Sequence, residues 1–85
     1  MSENKQILQE FGDRLRAARK SQSLSQEALA HLAGLDRTYV SGVERGERNI
    51  SLQNIVRLAK TLCVDPGVLV SGLERMESDE SGNAN

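Results

Sequence analysis

The stretch from Ser25 to Gly46, SQEALAHLAGLDRTYVSGVERG, constrains the fold more than any other part of the chain. Two short runs with helical periodicity, QEALAHLA and RTYVSGVE, flank the connection Gly34-Leu35-Asp36. Ser25 and Asp36 are good N-caps, because a short side-chain oxygen can accept from the free N–H groups of a helix's first turn. Gly34 stands where a helix commonly ends in a left-handed residue. Ala30 is small where two paired helices would cross closest. Leu35 plugs the inner side of the turn, and Val40 and Val43 anchor the second helix. Two short helices joined by a glycine-containing turn, with apolar residues so placed, are the sequence form of a helix-turn-helix.

The rest of the chain reads as helices built around that pair. A first helix is expected from about Asn4 to Ser21, with Leu8, Phe11, Leu15, Ala18 and Arg19 on one face and Ile7 beside them. Ser51 caps a fourth helix, LQNIVRLAKTL, whose apolar face comprises Leu52, Ile55, Val56, Leu58, Ala59 and Leu62. Asp65 followed by Pro66 opens a short fifth helix running to about Gly72 or Leu73. No internal repeat and no strand pattern is present. The expectation is an all-α, five-helix helix-turn-helix domain over residues 1–73, followed by an acidic, disordered tail over 74–85.

Composition narrows the function. The apolar content is almost all aliphatic, with one Phe, one Tyr and no Trp, which suits a small helical core. No apolar run exceeds three residues, far short of a transmembrane span, and the opening MSENKQ lacks an apolar signal core. A single cysteine, Cys63, excludes an internal disulfide and fits a reducing cytoplasm. The net charge of −1 hides an asymmetry. The last twelve residues carry Glu74, Glu77, Asp79 and Glu80 against Arg75 alone, leaving ten basic and eight acidic groups in residues 1–73. A body this weakly basic must rely on well-placed groups for any specific binding of nucleic acid. His31, the only histidine, falls on the open side of the second helix, with Leu29 and Leu32 facing in. One His and one Cys assemble neither a zinc site nor a Cys–His dyad, and no phosphate loop or paired catalytic carboxylates stand out. No enzyme, metal or cofactor is expected.

On a helical wheel, Val40 and Val43 of the third helix point one way. Thr38, Ser41, Gly42 and Arg45 point the other, flanked by Arg37 and Tyr39. A helix made only for solvent would carry more Glu, Lys, Gln and Ala. Short polar side chains, a glycine and terminal arginines suit a recognition helix in the DNA major groove, with Arg37, Thr38, Ser41 and Gly42 toward the bases. Gly42 would then provide clearance for DNA; the bland alternative is a glycine merely tolerated on an open face. The start of the second helix, at Ser25 and Gln26, offers unpaired N–H groups to a phosphate, and Arg45, Arg48 and Asn49 can reach a second phosphate stretch. Glu44, at the edge of the buried side, needs a cation, and Arg19 of the first helix points toward it.

With these residues in view, LSQEALAHLAGLDRTYVSGVERGERNISLQNIVRLAKTL resembles the phage-repressor-like (XRE-type) helix-turn-helix family over about residues 8–73, with restriction–modification controller proteins the most similar members. The resemblance implies a homodimer on a pseudo-palindromic operator. It also implies phosphate contact by Gln26, base contacts by Arg37 and Thr38, contacts by Tyr39, Ser41, Arg48 and Asn49 to the DNA backbone or nearby groups, and an Arg19–Glu44 ion pair. The chain departs from the family at Cys63, where glycine is usual after the fourth helix. That implies a strained left-handed residue or a different helix end.

A subunit contact is expected at Val64, Val68, Val70 and Leu73, although some of these can complete the monomer core instead. The leading function is a sequence-specific, double-stranded-DNA-binding transcription regulator, with RNA polymerase as a further candidate partner. An antitoxin would need apolar anchors in its tail, where MESDESGNAN has only Met76. A protein-binding adaptor would need an acidic or apolar ridge on the third helix, where this chain has arginines and hydroxyls.

Overall fold

The computed structural model describes residues 5–77. Five α-helices run in order: α1 (Lys5–Ser21), α2 (Gln26–Ala33), α3 (Arg37–Glu44), α4 (Leu52–Leu62) and α5 (Pro66–Val70), followed by a 3₁₀ helix (Leu73–Glu77). Each of α2 to α5 begins at its N-cap. Ser25 Oγ accepts from the Ala28 N–H at 2.9 Å, and Asp36 Oδ2 accepts from Thr38 and Tyr39 at 3.0 and 3.3 Å. Ser51 Oγ accepts from Asn54 at 3.1 Å, and Asp65 Oδ1 accepts from Gly67 at 2.7 Å, with Pro66 filling the first helical position. These caps satisfy donors that a helix start otherwise leaves open, which is why the boundaries fall where they do.

Gly34 ends α2 at φ 72°, ψ 31°, and its neighbour Leu35 donates back to the Ala30 carbonyl at 2.8 Å. This closure turns the chain sharply and sends Leu35 against the core. The core is a single cluster in which Phe11 and Leu15 of α1 meet Leu29, Ala30 and Ala33 of α2, Val40 and Val43 of α3, Leu58, Ala59 and Leu62 of α4, and Leu69 of α5. Where α1 crosses α3, Gly12 is buried. A Cβ there would lie 2.4 Å from the Glu44 carbonyl oxygen and 2.6 Å from that of Val43. The two backbones thus touch, and α3 is seated on α1 with no side chain between them.

Three sequence expectations need correction. Leu32, expected to face in, is 60% exposed, because α2 meets the core through Leu29, Ala30 and Ala33. Leu52 and Val56, expected on the core face of α4, are 75% and 46% exposed. The helix packs through Leu58, Ala59 and Leu62, and its apolar stripe is wider than that contact. The expected tail begins in ordered structure: Glu74–Glu77 belong to the 3₁₀ helix, which packs on α1, whereas the remainder of the tail lies outside the described residues. Of the expected subunit-contact residues, Val64, Val70 and Leu73 are half-buried against the core, as the alternative reading allowed for some of them, and Val68 is exposed. At Cys63, α4 ends in a left-handed residue that is not glycine, at φ 59°, ψ 40°, which is the first of the two expected outcomes.

Candidate nucleic-acid interface

The helix-turn-helix is α2, the Gly34 turn and α3, and one buried group locks it to the rest of the fold. Glu44, at the last turn of α3, is 1% exposed. Its Oε2 accepts from Arg19 Nε at 2.7 Å and its Oε1 from Arg19 Nη2 at 2.9 Å, a two-pronged pairing in which the planar guanidinium matches the carboxylate. Gln26 Nε2, at the start of α2, donates to the same Oε1 at 3.0 Å. Arg16 adds a second cationic neighbour, 3.6 Å from that oxygen, and donates to the Glu44 carbonyl at 3.1 Å. Burial pushes the Glu44 carboxyl up, but the hydrogen bonds of Arg19 and Gln26 and the charges of Arg19 and Arg16 outweigh it and hold the group below its usual range. The Glu44 hydrogen bond in turn raises Arg19, against the lowering effect of burial. The expected Arg19–Glu44 pair is therefore present. Sequence reasoning missed Arg16 and the inward role of the Gln26 amide. The spacing Arg16–Arg19 on one face of α1 was the available signal for the former.

The outer side of α3 divides into free and engaged side chains. Arg37 and Thr38 are exposed at its N-terminal end, and neither side chain is hydrogen-bonded or ion-paired among the described residues. Further along, the Ser41 hydroxyl accepts from Arg45, whose Nε also pairs with Glu47 at 3.0 Å. Tyr39 is half-buried against the core, and its hydroxyl accepts from Asn54 Nδ2 of α4 at 3.1 Å. The Arg48 guanidinium lies 5.3 Å from the Tyr39 ring centroid, within cation–π range. Asn49 is exposed in the loop before α4.

Gly42 requires a correction. It is buried, and a Cβ built on it would sit 2.5 Å from Arg48 Cγ. The space beside it is occupied by the Arg48 stem and is not open to solvent. A wheel drawn on α3 alone could not show this, because the covering group comes from the following loop.

Short capped helices, a rigid turn, and an exposed helix N-terminus bearing arginine and hydroxyl groups define a helix-turn-helix module. A family model described as Helix-turn-helix matches residues 15–69. The control protein C.BamHI of Bacillus amyloliquefaciens is 48% identical over 67 residues, spanning 78% of this chain and 80% of that protein. The crystal structure of the restriction–modification controller protein C.AhdI from Aeromonas hydrophila is similar at a TM-score of 0.72 and 58% identity, covering 73% of this chain and 94% of that one. The controller protein C.Esp1396I, solved as a tetramer in complex with its natural 35 base-pair operator, is 31% identical with a TM-score of 0.70, covering 82% and 92% of the two chains. The chain belongs to the helix-turn-helix family and, within it, to the restriction–modification controller proteins, which are DNA-binding transcription regulators and not enzymes.

Proposed function

We propose that this chain binds a pseudo-palindromic operator as a homodimer, with α3 in the major groove of each half-site. The observation that carries the reading is the unengaged Arg37–Thr38 pair at the exposed N-terminus of a helix seated on α1 by direct backbone contact. That is the end of a recognition helix that meets base edges. Arg37 offers a bidentate fork to guanine O6 and N7, and Thr38 a hydroxyl and a methyl group. Ser41, held by Arg45, reads bases from the next turn. Gln26, Tyr39, Arg45, Arg48 and Asn49 serve the sugar–phosphate backbone. The operator complex of C.Esp1396I supports both DNA as ligand and assembly of more than one copy.

The subunit contact is best placed on the open apolar face of α4 and α5, through Leu52, Val56 and Val68. Val64, Val70 and Leu73 contribute mainly to the monomer core. A two-fold contact there sets two recognition helices about 34 Å apart, one turn of DNA. As a transcription regulator the protein would act in the cytoplasm, where RNA polymerase is the further partner it meets at a promoter, and no described helix is long and apolar enough to cross a membrane. The folded domain extends through the 3₁₀ helix in this reading.

Selection from a random duplex library at stated salt tests the reading, with a two-fold symmetric consensus as the expected outcome. Absence of enrichment would favour a protein-binding adaptor. On the selected site, Arg37→Ala costs about 1–3 kcal/mol of discrimination at one base pair in each half-site. Equal loss on every sequence would reassign Arg37 to the phosphates.

A further inference from the structure

Gly42, on the polar side of α3, is buried beneath the segment that follows the helix. The backbone of the loop after α3 folds back on the helix, with the Glu47 N–H donating to the Gly42 carbonyl at 2.9 Å. The next residue, Arg48, therefore lays its stem across Gly42. Its Cγ, Cδ and Cβ lie 2.5, 3.5 and 3.7 Å from where a Cβ of residue 42 would be. From that slot the guanidinium reaches the face of Tyr39, one turn earlier on α3, and Tyr39 is itself held by Asn54 of α4. Arg48 forms no ion pair among the described residues, and its guanidinium lies over the Tyr39 ring.

We propose that Gly42 is a positioning residue for DNA binding. Its missing side chain forms the slot that delivers Arg48 over Tyr39 as a pre-ordered cation for one phosphate of each half-site. An arginine left free in solvent must give up rotamer freedom when it meets a phosphate, and one already stacked has given up much of it beforehand. The inference rests on the DNA-binding reading above, but its first test needs no DNA.

Tyr39 is the only tyrosine and the chain has no tryptophan, so its near-ultraviolet circular dichroism reports the Arg48 stack directly. Arg48→Ala should change that signal, and Gly42→Ala should change it in the same sense, with at least half the amplitude. A wild-type signal in Gly42→Ala overturns the proposal. On the selected operator, Arg48→Ala lowers the salt dependence of binding by about 0.9 in log K per log salt for each subunit, the signature of one lost phosphate contact. Gly42→Ala alone weakens binding about 3- to 10-fold, and in the Arg48→Ala background it has no further effect. An equal loss in both backgrounds overturns the proposal, because Gly42 would then be admitting DNA directly. The double variant removes the clash with the stem and serves as the folded reference, checked by urea unfolding. If the wild-type protein selects no duplex, the DNA-binding reading fails while the Tyr39 comparison still decides the positioning role.

Discussion

Cys63 ends α4 in the left-handed region at φ 59°, ψ 40°, donating its N–H to the Lys60 carbonyl at 3.1 Å, while Val64 donates to Ala59 at 2.9 Å. A residue with a Cβ is disfavoured there by about 1–2 kcal/mol, of which glycine's greater freedom in the unfolded chain gives back part. The Cys63 side chain is exposed, so removing it forfeits no core packing. Cys63→Gly should therefore stabilise the protein by about 0.5–1 kcal/mol, read as a rise in the urea midpoint with unchanged slope. An unchanged or lower midpoint would show that the thiol makes a contact worth as much as the strain. The sequence raised the question at this position, and only the backbone dihedrals answer it. Gly42 shows the opposite case, in which the sequence placed the residue on the polar side of α3 correctly but could not identify the neighbour lying across it.

At the scale of elements, Glu44 joins three helices at one point: Arg16 and Arg19 from α1, Gln26 from α2 and its own α3. Because its folded-state carboxyl is held below the ordinary value of 4.5, the stabilisation it gives is fully present above about that pH. It is lost as the pH falls through the lower, folded-state value. Glu44→Gln leaves Arg19 buried without a counter-charge and should cost about 3–5 kcal/mol at pH 7. The same variant should flatten the acid limb below about pH 4.5. Urea midpoints from pH 7 to pH 3 check both effects, and parallel acid limbs in the two proteins would show that other carboxylates control the loss. The helices themselves were legible because each of α2 to α5 carries a cap residue at its start. The close approach of α1 to α3 at Gly12 was not legible, since a glycine within α1 carries no mark of what crosses it.

For the whole molecule, the apolar surface left open on α4 is the feature that asks for a second copy. Leu52 and Val56 lie one turn apart on that helix and are both exposed. Replacing both with lysine puts charge on the proposed contact without touching the buried stripe of Leu58, Ala59 and Leu62. Sedimentation velocity should show a shift from dimer to monomer, with helix content retained and operator binding weakened at least 10-fold. A dimer that survives the double substitution would move the contact elsewhere. Local chemistry, which needs only near neighbours in the chain, was determined by the sequence alone: the caps, the glycine turn, and the arginine and hydroxyl face of α3. Tertiary structure decided what depends on which surfaces meet. It left Leu52 and Val56 open, laid Val64, Val70 and Leu73 partly against the core, and closed Gly42 beneath Arg48. Periodicity reports only the direction a side chain takes from its own helix axis, and burial depends also on what the rest of the chain brings to that side.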